Sequence, residues 1–181
     1  ALLKQRQEQE DDPDVLPKVT LHDVPAAINW PDSSTHEIQL GSGKTTTRFY
    51  AQGTNGISYQ QVILSMPDLD KSLTTLLPYY TSCLPDLGFG DKSYLEVQAL
   101  QATISGGINV HNSIRSAIDD EQSLSSYLTF SSKSLYTNQG KVTNLLRDTL
   151  LDCRFDEHQR IRELIEQISA RKEQSITSQG H

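Results

Sequence analysis

An Asn-Gly pair at Asn55-Gly56 sits between two runs of strand-forming residues, and it constrains the fold more than any other feature of the sequence. Arg48-Phe49-Tyr50-Ala51-Gln52 precedes it and Ile57-Ser58-Tyr59-Gln60-Gln61-Val62-Ile63-Leu64 comes after it. Asn-Gly tolerates the positive φ angles of a tight turn, because glycine lacks a Cβ and asparagine bonds its own backbone. The pattern predicts a β-hairpin over Thr46–Met66. In its second arm Ile57 and Tyr59 alternate with Ser58 and Gln60 before Val62-Ile63-Leu64 runs apolar, which predicts one half-exposed end and one buried end under a helix.

Helical periodicity dominates the chain after this hairpin. Pro67 is suited to the first turn of a helix, and Leu69, Leu73, Leu76, Leu77, Tyr80, Leu84 and Leu87 then recur on one helical face, with Pro78 expected to bend it and Gly88 and Gly90 to end it. Ser93-x-x-Glu96 is a capping box for a second helix carrying Leu95, Val97, Ala99, Leu100 and Ile104, closed by Gly106-Gly107. Ile108 and Val110, then Leu124–Phe130, read as two strands. A third helix is expected over 138–152 with Val142, Leu145, Leu146 and Leu150 inward. A fourth is expected from Asp156, with Gln159 at the capping-box position and Ile161, Leu164, Ile165 and Ile168 inward. The order predicts an α+β fold: an antiparallel sheet with helices packed on one face and the other face open.

The 181 residues suffice for one domain with a single sizeable core. Residues 1–12 are helix-favouring and mostly charged up to Pro13, and Leu2 and Leu3 alone do not bury such a helix; it is either the tail of a longer helix or linker, or a frayed end. Leu16–Pro25, bracketed by prolines, reads as an extended lead-in, and 29–45 has loop composition. The open sheet face and the severed helices at both ends predict exposed apolar surface and self-association of the chain on its own.

Several chemistries are excluded or left without support. A net charge of −7, from 16 Lys+Arg and 23 Asp+Glu, argues against nucleic acid as a partner. No apolar run approaches the roughly 18 residues of a membrane span. Gly41-Ser42-Gly43-Lys44-Thr45 imitates a phosphate-binding loop, but Ile38 stands where the first glycine belongs and β-type residues come next instead of a helix. The five histidines, His22, His36, His111, His158 and His181, form no i,i+4 pair; His36-Glu37 is followed by Leu40 where H-E-x-x-H needs its second histidine. No serine lies in a G-x-S-x-G elbow. Cys83 and Cys153 fall in apolar helical patterns and read as buried free thiols. Asp119-Asp120-Glu121 offers carboxylates for acid–base or metal chemistry, yet without His or Cys nearby it reads as a solvated turn. The residues themselves show neither a catalytic nor a metal site.

The ordered landmarks Leu16–Pro25, Thr54-Asn55-Gly56-Ile57-x-Tyr59, the leucine-rich helix with Pro78, Ser93-Tyr94-x-Glu96 and Ser105-Gly106-Gly107-Ile108 together resemble the region after the hinge in presequence proteases, a branch of the pitrilysin/insulinase superfamily of zinc metallopeptidases. The resemblance covers about residues 16–181. It implies that residues 1–15 end a helical hinge and that 16–181 form the first α+β domain of a second, non-catalytic half. In that family two halves close around short unfolded peptides, and zinc is held in the first half by an inverted H-x-x-E-H motif and a downstream Glu. No catalytic or metal residue carries over to this chain, and the Arg and Tyr that the second half contributes to substrate would lie beyond His181. The implied partners are the remaining domains of the peptidase and unfolded peptides. The implied location is the cytoplasm in a bacterium or a mitochondrion or other organelle in a eukaryote. Because the family's catalytic half adds peptide to a sheet edge, Ile108, Asn109, Val110 and His111 are the candidate peptide-binding residues, the alternative being an ordinary strand. A non-enzymatic peptide-binding or structural module of the same fold is the second functional reading.

Overall fold

A computed structural model describes residues 2–7, 17–28, 30–41 and 43–178. The backbone falls into two compact units, Ala1–Gln52 and Gly53–His181. The expected stop at Pro13 and the start of the lead-in at Leu16 lie outside the described residues, as does His181.

The first unit holds a six-residue helix α1 (Leu2–Gln7), a 3-10 turn (Leu21–Asp23) and a two-stranded antiparallel ribbon of β1 (Ser33–Leu40) and β2 (Gly43–Tyr50). The ribbon corrects two expectations. Residues 33–40 are a strand rather than loop, and β2 pairs with β1, not across the Asn-Gly turn. The physical reason is local: Gly41, at φ +55°, opens a two-residue connection between Leu40 and Gly43, which closes faster and tighter than the longer link through Ala51–Asn55. Gly43 and Lys44 therefore lie in a strand, with Lys44 Nζ 3.1 Å from Glu37 Oε2, and not before a helix that receives phosphate. Within the lead-in, the Asp23 carboxylate accepts hydrogen bonds from the Thr20 N–H (2.8 Å) and hydroxyl (2.9 Å), so Pro17–Pro25 is not uniformly extended.

The second unit carries a three-stranded antiparallel sheet in the order β3 (Ile57–Ser65), β5 (Leu124–Leu135), β4 (Ile108–Ser116), with α2 (Lys71–Cys83), α3 (Tyr94–Ile104), α4 (Gln139–Leu151) and α5 (His158–Ser178). The Asn-Gly turn forms as its chemistry requires, with Asn55 at φ 50° and Gly56 at φ 79°, but it leads into β3, whose partner is β5 far along the chain. The register places Val62 opposite Phe130 and Leu64 opposite Leu128, so the apolar run completes a core face that a pairing with the polar β2 would have left bare. β4 and β5 form the expected pair, with Val110 opposite Phe130.

Alternate residues divide the sheet. Val110, Leu128 and Phe130 lie on the face where Leu84, Val97, Ile104, Val142, Leu145 and Leu146 pack, so the helices gather on one side. Each such side chain taken from water contributes about 1.5–3 kcal/mol before its ordering cost. Tyr59, Ile63 and Leu135 fall on the opposite face and are each 60–65% exposed. The fold is therefore α+β with one sheet face open.

Helix boundaries differ from expectation at two points. α2 starts at Lys71 rather than beside Pro67, because β3 runs on and the Met66 N–H still bonds Ser126 O at 2.9 Å. Leu73 and Leu76 stay half exposed, so the apolar face is buried only from Tyr80 onward, toward Leu84 and Leu87. The capping box of α3 forms, with Ser93 N–H and hydroxyl on Glu96 Oε2 at 2.8 and 2.7 Å. That of α5 does not: the Asp156 carboxylate is held by Arg154 (3.0 Å) and Gln159 bonds Glu163 instead (3.2 Å).

Candidate functional site

β4 is an edge strand. The Ala117 N–H to Ser123 O bond of 2.9 Å fixes the phase of the ladder, so the odd-numbered residues of β4 bond to β5. Ile108, Val110, Asn112 and Ile114 then turn their backbone N–H and C=O groups outward, and no strand pairs with them among the described residues. Of the four candidate residues, Val110 is buried and Ile108 packs against the core, while Asn109 and His111 are exposed on the open face. Only the backbone of this stretch is available to a peptide; two of its side chains are already used in packing.

The start of the edge is held by hydroxyls. Gly107, at φ +92°, breaks the ladder: its N–H goes to Ser105 Oγ (3.1 Å), its carbonyl receives the Ser132 hydroxyl (2.8 Å), and Gly106 N–H takes Lys133 O (2.7 Å). Beside Gly107–Val110 lies an open groove of about 310 Å³, walled by Thr81 and Ser82 of α2, Asp86, Gln101 of α3 and Arg171 of α5. These five residues lie on four separate stretches of chain, and no spacing in the sequence marks them.

A second constellation is structural. Glu157 reaches back from the start of α5 so that Oε2 accepts the Gly88 N–H (2.7 Å) and Oε1 the Tyr94 N–H (3.0 Å), the latter an otherwise unpaired donor at the head of α3. Arg160 lies 4.6 Å over the Tyr94 ring and donates to Asp86 O at 3.4 Å. One carboxylate thus ties the loop after α2 and the start of α3 to α5, a role that sequence reading missed because its partners are backbone groups.

The cysteines are free thiols, Cys83 buried and Cys153 half-buried, both packed against a small cluster with Leu87, Leu164 and Ile168. Burial, and then the nearby Glu157 carboxylate, push the Cys153 thiol up to about 11 from its ordinary 9.0; burial and then Asp86 raise Cys83, and burial raises the Tyr80 hydroxyl. Neither thiol has the lowered pKa of a nucleophile. All three shifts favour the protonated form in the folded state. Stability is therefore complete below the unfolded pKa and falls as pH rises, for Cys153 between about 9 and 11. Thermal unfolding followed across that window should show the decline, and Cys153→Ala should flatten it.

Among the described residues no group of three or more His, Cys, Asp or Glu is placed to hold a metal ion. The donors present do not fit a zinc site, and no hydrolytic step is assigned to them. Asp119–Glu121 forms the turn between β4 and β5, with Gln122 N–H on Asp120 Oδ1 at 3.0 Å.

The comparison that decides the family is a match over residues 1–181 to the peptidase-associated family of the M16 peptidases, subfamily C. The chain belongs to that family. Among relatives of this peptidase-associated chain is presequence protease 1, chloroplastic/mitochondrial, of Arabidopsis thaliana, 26% identical over 182 residues. The mitochondrial presequence proteases of Drosophila melanogaster and Xenopus laevis are 23% and 27% identical over 180 and 169 residues. The alignments cover 99%, 99% and 92% of this chain but 16%, 17% and 16% of those proteins. The chain is thus a peptidase-associated α+β region, matching about a sixth of the length of its curated relatives.

Proposed function

We propose that this chain is a non-catalytic domain of a zinc-dependent peptidase that degrades short unfolded peptides, and that it forms part of the wall of a closed peptide chamber. The family match across the whole chain carries the reading. An open sheet face and an unpaired β4 edge support it, since backbone groups along an edge bind peptides of many sequences. Zinc belongs to another half of the polypeptide, where it would polarise the attacking water. The relatives' names support an organellar setting.

The test compares the purified chain with the full-length protein. The chain should retain no stoichiometric zinc and leave peptides intact, while the full-length protein cleaves them. Zinc at one per chain, or cleavage by the chain itself, overturns the reading. Labelled peptide should shift the amide signals of 107–114; if they stay unmoved, the edge is an ordinary strand and the wall reading stands without it.

A further inference from the structure

We infer that the outer end of the β4–β5 pair is a docking slot for one α-helix of the same longer polypeptide, carrying an apolar ridge and a basic flank. The inference rests on the proposal that this chain is one domain of a larger peptidase.

The register supplies the floor. Ile114 and Leu124 lie on the same sheet face as Val110, Leu128 and Phe130. The inner three are at most 8% exposed; Ile114 and Leu124 are 64% and 66% exposed. One face thus passes from dry to bare along its length, and where it is dry helices cover it.

Helix α2 supplies the wall. Its last residues, Thr81 and Ser82, border the groove beside Gly107–Val110, and the connection before it is tied at Met66 to Ser126, the residue opposite Ile114. The helix therefore runs back along β4 and brings its first turns toward the bare end. Leu73 and Leu76, three apart and so on one side of it, are 50% and 56% exposed there.

The rim is acidic. Asp68 and Asp70 precede α2, and Asp119, Asp120 and Glu121 join β4 to β5; all five are exposed, against Lys71 on the same side and Arg115, which points to the other sheet face by its register. Four large apolar side chains between two acidic borders fit an amphipathic helix with Lys or Arg along its flanks. A helix is the occupant that continues the existing layer at the usual spacing of about 10 Å. The relatives are long enough to provide one, since this chain matches only 16–17% of them.

Carbodiimide coupling in the full-length protein joins a carboxylate to a lysine amine as an amide, with the lost water taken up by the reagent. Asp119, Asp120 and Glu121 should couple to lysines of a single helix outside this chain. Ile114→Asp should lower the unfolding midpoint of the full-length protein by about 2–4 °C and leave that of the isolated chain unchanged, the residue being exposed there. Coupling to a second copy, to this chain's own lysines or to a bound peptide overturns the slot, as does an Ile114→Asp variant that leaves the full-length midpoint unmoved. A reading frame with no further domain overturns both proposals; these results in a longer peptidase overturn only this one.

Discussion

Phe130→Ala should remove about 3–5 kcal/mol of stability, the largest loss expected of any single truncation in the chain. Phe130 is 1% exposed at the middle of the central strand, between Val62 on β3 and Val110 on β4, with helices packed over it. Ladders on both sides pin β5, so the surrounding residues cannot close the space a missing ring leaves, and the cavity cost adds to the lost burial. Against a total of about 5–15 kcal/mol for an ordinary domain, the loss leaves the folded state marginal. Urea unfolding should show a lower midpoint with an unchanged slope. Tyr59→Ala, on the open face, is the control and should cost under about 0.5 kcal/mol. A loss below about 1 kcal/mol for Phe130→Ala would contradict the packing described.

Gly88→Ala should cost about 2–4 kcal/mol for a different reason, overcrowding rather than a void. A Cβ at Gly88 runs into the carbonyl oxygen of Lys92 and comes within 3.1 Å of Glu157 Oε2. The glycine cannot move away, because its N–H is held by Glu157 at 2.7 Å and its carbonyl receives the Arg154 N–H at 2.8 Å. Gly140, in the first turn of α4 with open space around it, gives the opposite sign: Gly140→Ala should stabilise by about 0.4–1 kcal/mol. Thermal melts of the two variants separate crowding from backbone freedom. Equal midpoints would show that the Gly88 loop yields.

Where information is local, the sequence revealed the structure. The positive φ angles at Asn55-Gly56, the capping box at Ser93, the free thiols and the inward leucines of α4 all come from chemistry within a few residues. Strand partners do not. The turn at Asn55 is real but does not join the strands on either side of it, since pairing is decided by which apolar run completes which core face. The alternation in Ser33–Leu40 was hidden by its polar composition. Gly88 was legible as a helix terminator, whereas its contact with Lys92 and its bond to Glu157 depend on how distant segments meet. The groove beside β4 is illegible for the same reason, its walls coming from four stretches of chain. The candidate edge was found in the right strand, but its burial pattern shows that backbone, not side chains, is what it offers.

The strand order β3-β5-β4 also has a kinetic meaning. β4 and β5 are neighbours along the chain, and their hairpin can form in microseconds. β3 reaches β5 only across an excursion of about sixty to eighty residues that contains two helices, so its loop entropy is lost before any of its contacts form. Refolding should therefore build the β4–β5 pair with its helices early and add β3 late. Until then, the even-numbered edge of β5 that β3 will occupy stands open to any other extended chain, which makes that interval the time of greatest aggregation risk.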